Sequence, residues 1–66
     1  MEHYEIIIKG HLDSRRAEWF AGLVITQLPG GICRLEGNIA DQAALHGILN
    51  RVRDMGLQLL SVKRQD

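Results

Sequence analysis

The chain has 66 residues, enough for one hydrophobic core, so we expect a single domain spanning residues 1–66. Eight basic and eight acidic residues give a formal net charge of zero, without the Lys and Arg excess typical of proteins that bind nucleic acid. The single cysteine excludes an internal disulfide and a Cys-rich zinc site. Small domains usually need an additional source of stability, and by elimination we expect self-association ahead of a metal.

The N-terminal sequence has no basic segment before its apolar run, so no signal peptide is expected. No apolar stretch approaches the roughly 20 residues that cross a bilayer. These features predict a cytoplasmic protein with no membrane partner, no nucleic-acid partner and no cofactor.

The first two predicted elements are a strand and a short helix. Three consecutive isoleucines predict a strand at 4–12 whose core-facing residues are Tyr4, Ile6 and Ile8. Asp13 or Ser14 is suited to cap a helix of about two turns that ends at Gly22. Because so short a helix is unstable alone, Trp19 or Phe20 is expected to anchor it to the sheet.

A β-hairpin is predicted next, with strands at 23–28 and 32–38 joined by the turn Pro29-Gly30-Gly31. Symmetric pairing about Pro29-Gly30 places Ile25 opposite Arg34 and Leu23 opposite Glu36. The core-facing residues of the hairpin are then Val24, Thr26, Cys33 and Leu35. A buried cysteine of this kind is usually inert.

The last two predicted elements are a helix at 42–55, capped by Asp41, and a strand at 57–64. The helix carries one apolar stripe at i, i+3, i+4 and i+7 spacing, formed by Ala44, Leu45, Ile48, Leu49, Val52 and Met55. Two alternations of the strand remain open, because Leu57 and Leu59 compete with Leu60 and Val62 for the core.

The order of these elements predicts an α+β, ferredoxin-like β-α-β-β-α-β sandwich. Its four-stranded antiparallel sheet has the order 4-1-3-2, with two helices on one face. The other face is either solvated or a self-complementary interface in which ion pairs surround an aliphatic centre. We expect an interface formed by Ile7, Lys9, Leu23, Ile25, Ile32, Arg34 and Glu36.

The three histidines are the candidates for chemistry. His11 with Asp13 is a candidate acid–base pair, although helix capping also explains Asp13. His3, His46 and Asp41 are expected near the start of the second helix and are candidate metal ligands. They have no recognised ligand spacing, and half-buried or surface histidines are the commoner explanation.

Three segments resemble a group of short uncharacterised bacterial proteins: Lys9-Gly-His-Leu, Trp19-Phe-Ala-Gly-Leu, and the run from Asp41 to Val62. The resemblance covers residues 4–62. It implies a bacterial, cytosolic, stand-alone protein and supplies no catalytic residue or ligand. We therefore expect a non-enzymatic homo-oligomeric module that binds a small ligand or a partner protein. The alternative is a small enzyme with a site between subunits around His11 and Asp13, or around His46.

Overall fold

The computed structural model describes residues 2–20 and 22–65, without the side chains of Ser14, Arg16 and Ala17. The predicted capping role of Ser14 therefore lies outside the described part of the chain. The described residues form an α+β structure with one α-helix and a four-stranded sheet. The elements are β1 (Glu2–Lys9), a 3-10 helix (Ser14–Phe20), β2 (Val24–Leu28), β3 (Ile32–Ile39), α1 (Gln42–Asp54) and β4 (Gln58–Arg64).

The sheet is antiparallel throughout and has the order β2-β3-β1-β4. Read from the β4 edge, the same neighbours are in the order 4-1-3-2. The two long strands β1 and β3 occupy the centre, and β2 and β4 form the edges. The residues of β1 and β3 therefore define the middle of both sheet faces.

The prediction of two α-helices is wrong, because residues Ser14–Phe20 form a 3-10 helix. Asp13 accepts the backbone N–H of Arg15 at 2.9 Å and also binds the guanidinium of Arg15. Local bonds of this kind compete with regular helical turns, and 3-10 geometry is common in connectors this short. The segment is anchored by Phe20, which is fully buried, whereas Trp19 is 44% exposed.

The α-helix begins as predicted at Asp41, whose carboxylate accepts the backbone N–H of Ala44 at 2.8 Å. Three positions of the predicted stripe, Leu45, Ile48 and Val52, are buried. They join one core with the buried residues of the sheet, the 3-10 helix and the connecting segments, listed here in chain order: Tyr4, Ile6, Ile8, Leu12, Phe20, Leu23, Cys33, Leu35 and Ile39. The predicted alternation of β1 is thus confirmed, and the core lies between α1 and one face of the sheet.

The predicted hairpin register is wrong by one residue. Leu28 pairs with Ile32, so the loop contains the three residues Pro29, Gly30 and Gly31. Both glycines have positive φ (82° and 74°), which allows this longer loop. A one-residue shift moves every side chain of a strand to the opposite face.

The shift exchanges the two predicted faces of β2 and of Leu23, the residue that precedes it. Leu23 is 2% exposed, and Ile25 packs against the core, contrary to the interface prediction. Val24 is 63% exposed and lies opposite Glu36, and Thr26 lies opposite Arg34. Val24 and Thr26 therefore lie on the face that was predicted for Leu23 and Ile25.

The open alternation of β4 is explained by an irregularity in its pairing with β1. Ile7 pairs with Ser61, but Ile8 pairs with Leu59, so Leu60 is an additional residue at this point. A bulge inverts the alternation of a strand. Leu57 packs against the core before the bulge and Val62 packs against it after the bulge, so each competing set contributes one residue.

Candidate functional site: the open face of the sheet

The candidate site is the sheet face opposite α1. Neither α1 nor the 3-10 helix covers it, because their buried residues pack on the other face with Ile6, Ile8 and Leu35. We call this surface the open face. Within the described ranges 2–20 and 22–65 it consists of Val24, Thr26 and Leu28 of β2; Ile32, Arg34, Glu36 and Asn38 of β3; His3, Glu5, Ile7 and Lys9 of β1; and Gln58, Ser61 and Lys63 of β4.

The open face carries five of the seven residues that were predicted for an interface, namely Ile7, Lys9, Ile32, Arg34 and Glu36. Leu23 and Ile25 belong to the core side instead. Sequence reasoning missed Val24 and Leu28, and the three-residue loop with its two glycines was the signal that would have located them.

Strand pairing arranges twelve of these residues in three rows across the sheet, and Asn38 pairs with His3 beyond the row that contains Glu5. The middle row places Ile7 beside Arg34 and Ser61. On either side of it run an end row containing Lys9 and an end row containing Glu5. Each row is given from β2 to β4: Leu28–Ile32–Lys9–Gln58, Thr26–Arg34–Ile7–Ser61, and Val24–Glu36–Glu5–Lys63.

The end row containing Glu5 is acidic at its centre, because Glu5 lies directly opposite Glu36. Like charges at opposed positions destabilise a sheet. Glu36 is contacted by His3, whose Nε2 lies 3.5 Å from its Oε2, and its charge is offset by Arg34, whose Nε lies 4.0 Å from its Oε1. Glu5 has Lys63 opposite it on β4. Charges of both signs therefore surround the aliphatic residues of this face.

Arg34 is incompletely bonded. Its Nε is buried and has no hydrogen-bond partner among the described residues, since 4.0 Å to Glu36 exceeds a hydrogen-bond distance. An unpaired buried donor is unfavourable by about 1–3 kcal/mol.

The candidate acid–base pair is not assembled as a pair. Oδ1 of Asp13 accepts the backbone N–H of Arg15 at 2.9 Å, and Oδ2 accepts from the guanidinium Nη2 at 2.7 Å and Nε at 2.9 Å. These bonds lower the pKa of Asp13 to about 2. Asp13 is therefore ionised at neutral pH and engaged by Arg15, and His11 beside it is exposed.

The candidate metal ligands are held apart. His3 lies on the open face, where its Nδ1 is 3.2 Å from Asn38 Oδ1. Asp41 caps α1, and His46 is exposed on α1, which packs on the opposite face of the sheet. Within residues 2–20 and 22–65 no three side chains of metal-binding type form a group that would hold a metal. Cys33 is fully buried, and burial raises the pKa of its thiol.

A second feature that sequence reasoning missed is a groove of about 480 Å³ between α1 and β4. Its walls are Leu49 and Val52 of α1 and Leu57 and Leu59 near the start of β4, with Arg53 at the side. Leu59 remains 45% exposed there. The unresolved competition among the leucines of β4 was the only sequence signal of this groove.

No helix in the described part of the chain is long and apolar enough to cross a membrane. The fold and the open face thus define a small α+β protein with a four-stranded antiparallel sheet and one helical layer. The model of one family, described as a domain of unknown function (DUF8691), matches residues 3–63, and the chain belongs to this family. No curated protein and no solved structure matches the chain significantly.

Proposed function

We propose that this chain is a ferredoxin-like, non-enzymatic module that works as a homo-oligomer, with the open face of one copy covered by a second copy. The observation that carries the proposal is the composition of the open face. Aliphatic side chains, with Ile7 half-buried at the centre and Val24 63% exposed at one edge, are interspersed on this face with charges of both signs. Interfaces between identical subunits contain both apolar and charged residues, and charges of both signs allow such a surface to be complementary to itself.

The size of the domain supports the same proposal. A stable interface removes roughly 800 Å² from each partner, which is about one fifth of the 4194 Å² surface of this chain. The principal extents of the chain are 30 × 22 × 20 Å, so such an interface takes about one face. Burying that face supplies apolar contact area that a domain of this length otherwise lacks.

The groove between α1 and β4 supports a binding role for the assembled module. It lies on the helical side of the sheet, so it stays accessible when the open face is covered. Its apolar walls and the nearby cation of Arg53 suit a small ligand or a short segment of a partner protein. The net charge of zero argues against nucleic acid as that partner. With the resemblance to short bacterial proteins, we place this module in a bacterial cytoplasm.

The test compares two matched substitutions by light scattering on a size-exclusion column. Ile7→Asp places a charge at the centre of the open face, and Leu59→Asp places the same charge on an exposed residue of the helical side. We expect Ile7→Asp to convert the oligomer to a folded monomer and Leu59→Asp to leave the mass unchanged. Circular dichroism controls for folding. An unchanged mass for a folded Ile7→Asp variant would refute the proposal.

A further inference from the structure

We propose that the second copy lies across the open face on a two-fold axis through Ile7, so that Glu5 of each copy faces Lys9 of the other. This inference rests on the proposed self-association and adds its orientation. Closed two-fold dimers are the commonest homo-oligomers, and their interfaces must be complementary to themselves. The question is therefore which two-fold arrangement the charges of the open face allow.

The charges of β1 are antisymmetric about Ile7. Glu5 and Lys9 lie on the same face, each two residues from Ile7, and therefore each about 7 Å along the strand from it. Consider a two-fold axis that lies in the plane of the interface, runs perpendicular to the strands and passes over Ile7. This axis places position 5 of one copy over position 9 of the other. Each Glu5 then faces Lys9 of the second copy, and the interface contains this pair twice.

The other simple arrangement is disfavoured by charge. A two-fold axis parallel to the strands, between β1 and β3, would place β1 of one copy over β3 of the other without exchanging the rows. Glu5 would then face Glu36 of the second copy, in addition to the Glu36 that already lies opposite it within its own sheet. Bringing like charges together across an interface is costly.

The bonding of these charges within one copy agrees with the first arrangement. Neither Glu5 nor Lys9 takes part in an ion pair among the described residues, and Lys9 is exposed. Both charges are therefore available to a second copy. Packed sheets lie about 10 Å apart and cross at about 30°, and Glu and Lys side chains span such a gap.

Leu28, Val24 and Arg34 can also be accommodated about this axis. The end row containing Lys9 meets the end row containing Glu5, which brings Leu28 over Val24 of the second copy. Arg34 lies in the middle row, next to the axis, and meets its own equivalent. Its charge is balanced by Glu36 of its own copy at 4.0 Å, and Glu36 of the second copy approaches from the facing row.

The test is a charge-reversal exchange, followed by sedimentation velocity at low salt. Glu5→Lys alone makes positions 5 and 9 both cationic, and Lys9→Glu alone makes both anionic. Each variant should self-associate roughly tenfold or more weakly than wild type, because two symmetric contacts become repulsive. The double variant Glu5→Lys/Lys9→Glu should recover wild-type association. An equimolar mixture of the two single variants should form a heterodimer, in which both contacts are attractive.

The outcomes separate this inference from the proposed function. A monomeric wild-type chain would overturn both. A wild-type dimer whose affinity is unchanged by either single reversal, or a double variant without recovery, would overturn the orientation alone. Tighter self-association of Glu5→Lys would also overturn it and would favour the axis parallel to the strands, where Glu5 meets Glu36.

Discussion

Gly37 offers a sharp test of how β2 is placed. Gly37 lies on the core side of β3, and a Cβ added there would be 2.8 Å from Cδ2 and 3.6 Å from Cα of Leu23. The φ of Gly37 is +157°, which side-chain-bearing residues rarely adopt. We therefore expect Gly37→Ala to destabilise the fold, because Leu23 must move and the backbone is strained.

The magnitude follows from these two effects. Overpacking of a core costs about 1–3 kcal/mol, and backbone strain adds about 1 kcal/mol or more. A domain of this length has a free energy of unfolding of roughly 3–10 kcal/mol, so the substitution removes a large fraction of it. The melting temperature should fall by roughly 10–20 °C.

The assay is urea unfolding followed by circular dichroism at one fixed protein concentration, since association also contributes to stability. Gly47→Ala in α1 is the matched control, because an added Cβ has no heavy atom within 4 Å there. We expect this control to stabilise the protein by about 0.5–1 kcal/mol. Leu23→Ala combined with Gly37→Ala should lower the free energy of unfolding by less than the sum of the two single changes, because the smaller side chain leaves room for the added Cβ. A neutral Gly37→Ala variant would refute the packing of Leu23 on Gly37.

Three further predictions concern single side chains. Asp41→Ala should lower the free energy of unfolding by about 1 kcal/mol, measured by urea titration, because the backbone N–H of Ala44 loses its acceptor. Asp13 has a depressed pKa of about 2 in the folded chain, so its contribution is present at neutral pH and is lost as the pH falls from about 4 toward 2. Asp13→Asn should therefore reduce stability at pH 7 and have little effect near pH 2 in thermal unfolding; an equal loss at both pH values would contradict this. Cys33 should react with a thiol reagent only after unfolding, and rapid labelling of the native protein would contradict its burial.

Strand β1 and helix α1 were predictable from sequence because each has one dominant periodic pattern of apolar residues. Tyr4, Ile6 and Ile8 alternate without a competing set, and Asp41 precedes the only long apolar stripe of helical spacing. Local pattern and tertiary packing agree in these elements. The predicted buried face of β1 and of α1 was therefore correct.

The faces of β2 and β4 were not predictable with the same certainty, because both strands are apolar on both sides. Leu23 and Val24 are equally suited to the core, and only the length of the loop at Pro29 decides between them. On β4 the extra residue Leu60 changes the alternation in mid-strand, which no periodic pattern encodes. The predicted face of the candidate interface residues was consequently confirmed along β1 and β3 and wrong along β2.

The structure does not bring His3 and His46 together as predicted, and the reason is different. Sequence placed His3 and His46 near one end of the fold, but it gave no face for His3 relative to α1. The alternation of β1 turns His3 away from the helix, together with Glu5 and Ile7. His3 and His46 therefore lie on opposite sides of the sheet, although both are near the same end of it.

The central claim is that a second copy covers the open face, and the mass of the wild-type chain in solution tests it most directly. Light scattering coupled to size exclusion should be recorded across a dilution series from high to low micromolar concentration. We predict a dimer of the 7.4 kDa chain, or a larger closed assembly built from it, that persists over this range. A monomer at every concentration would contradict the claim.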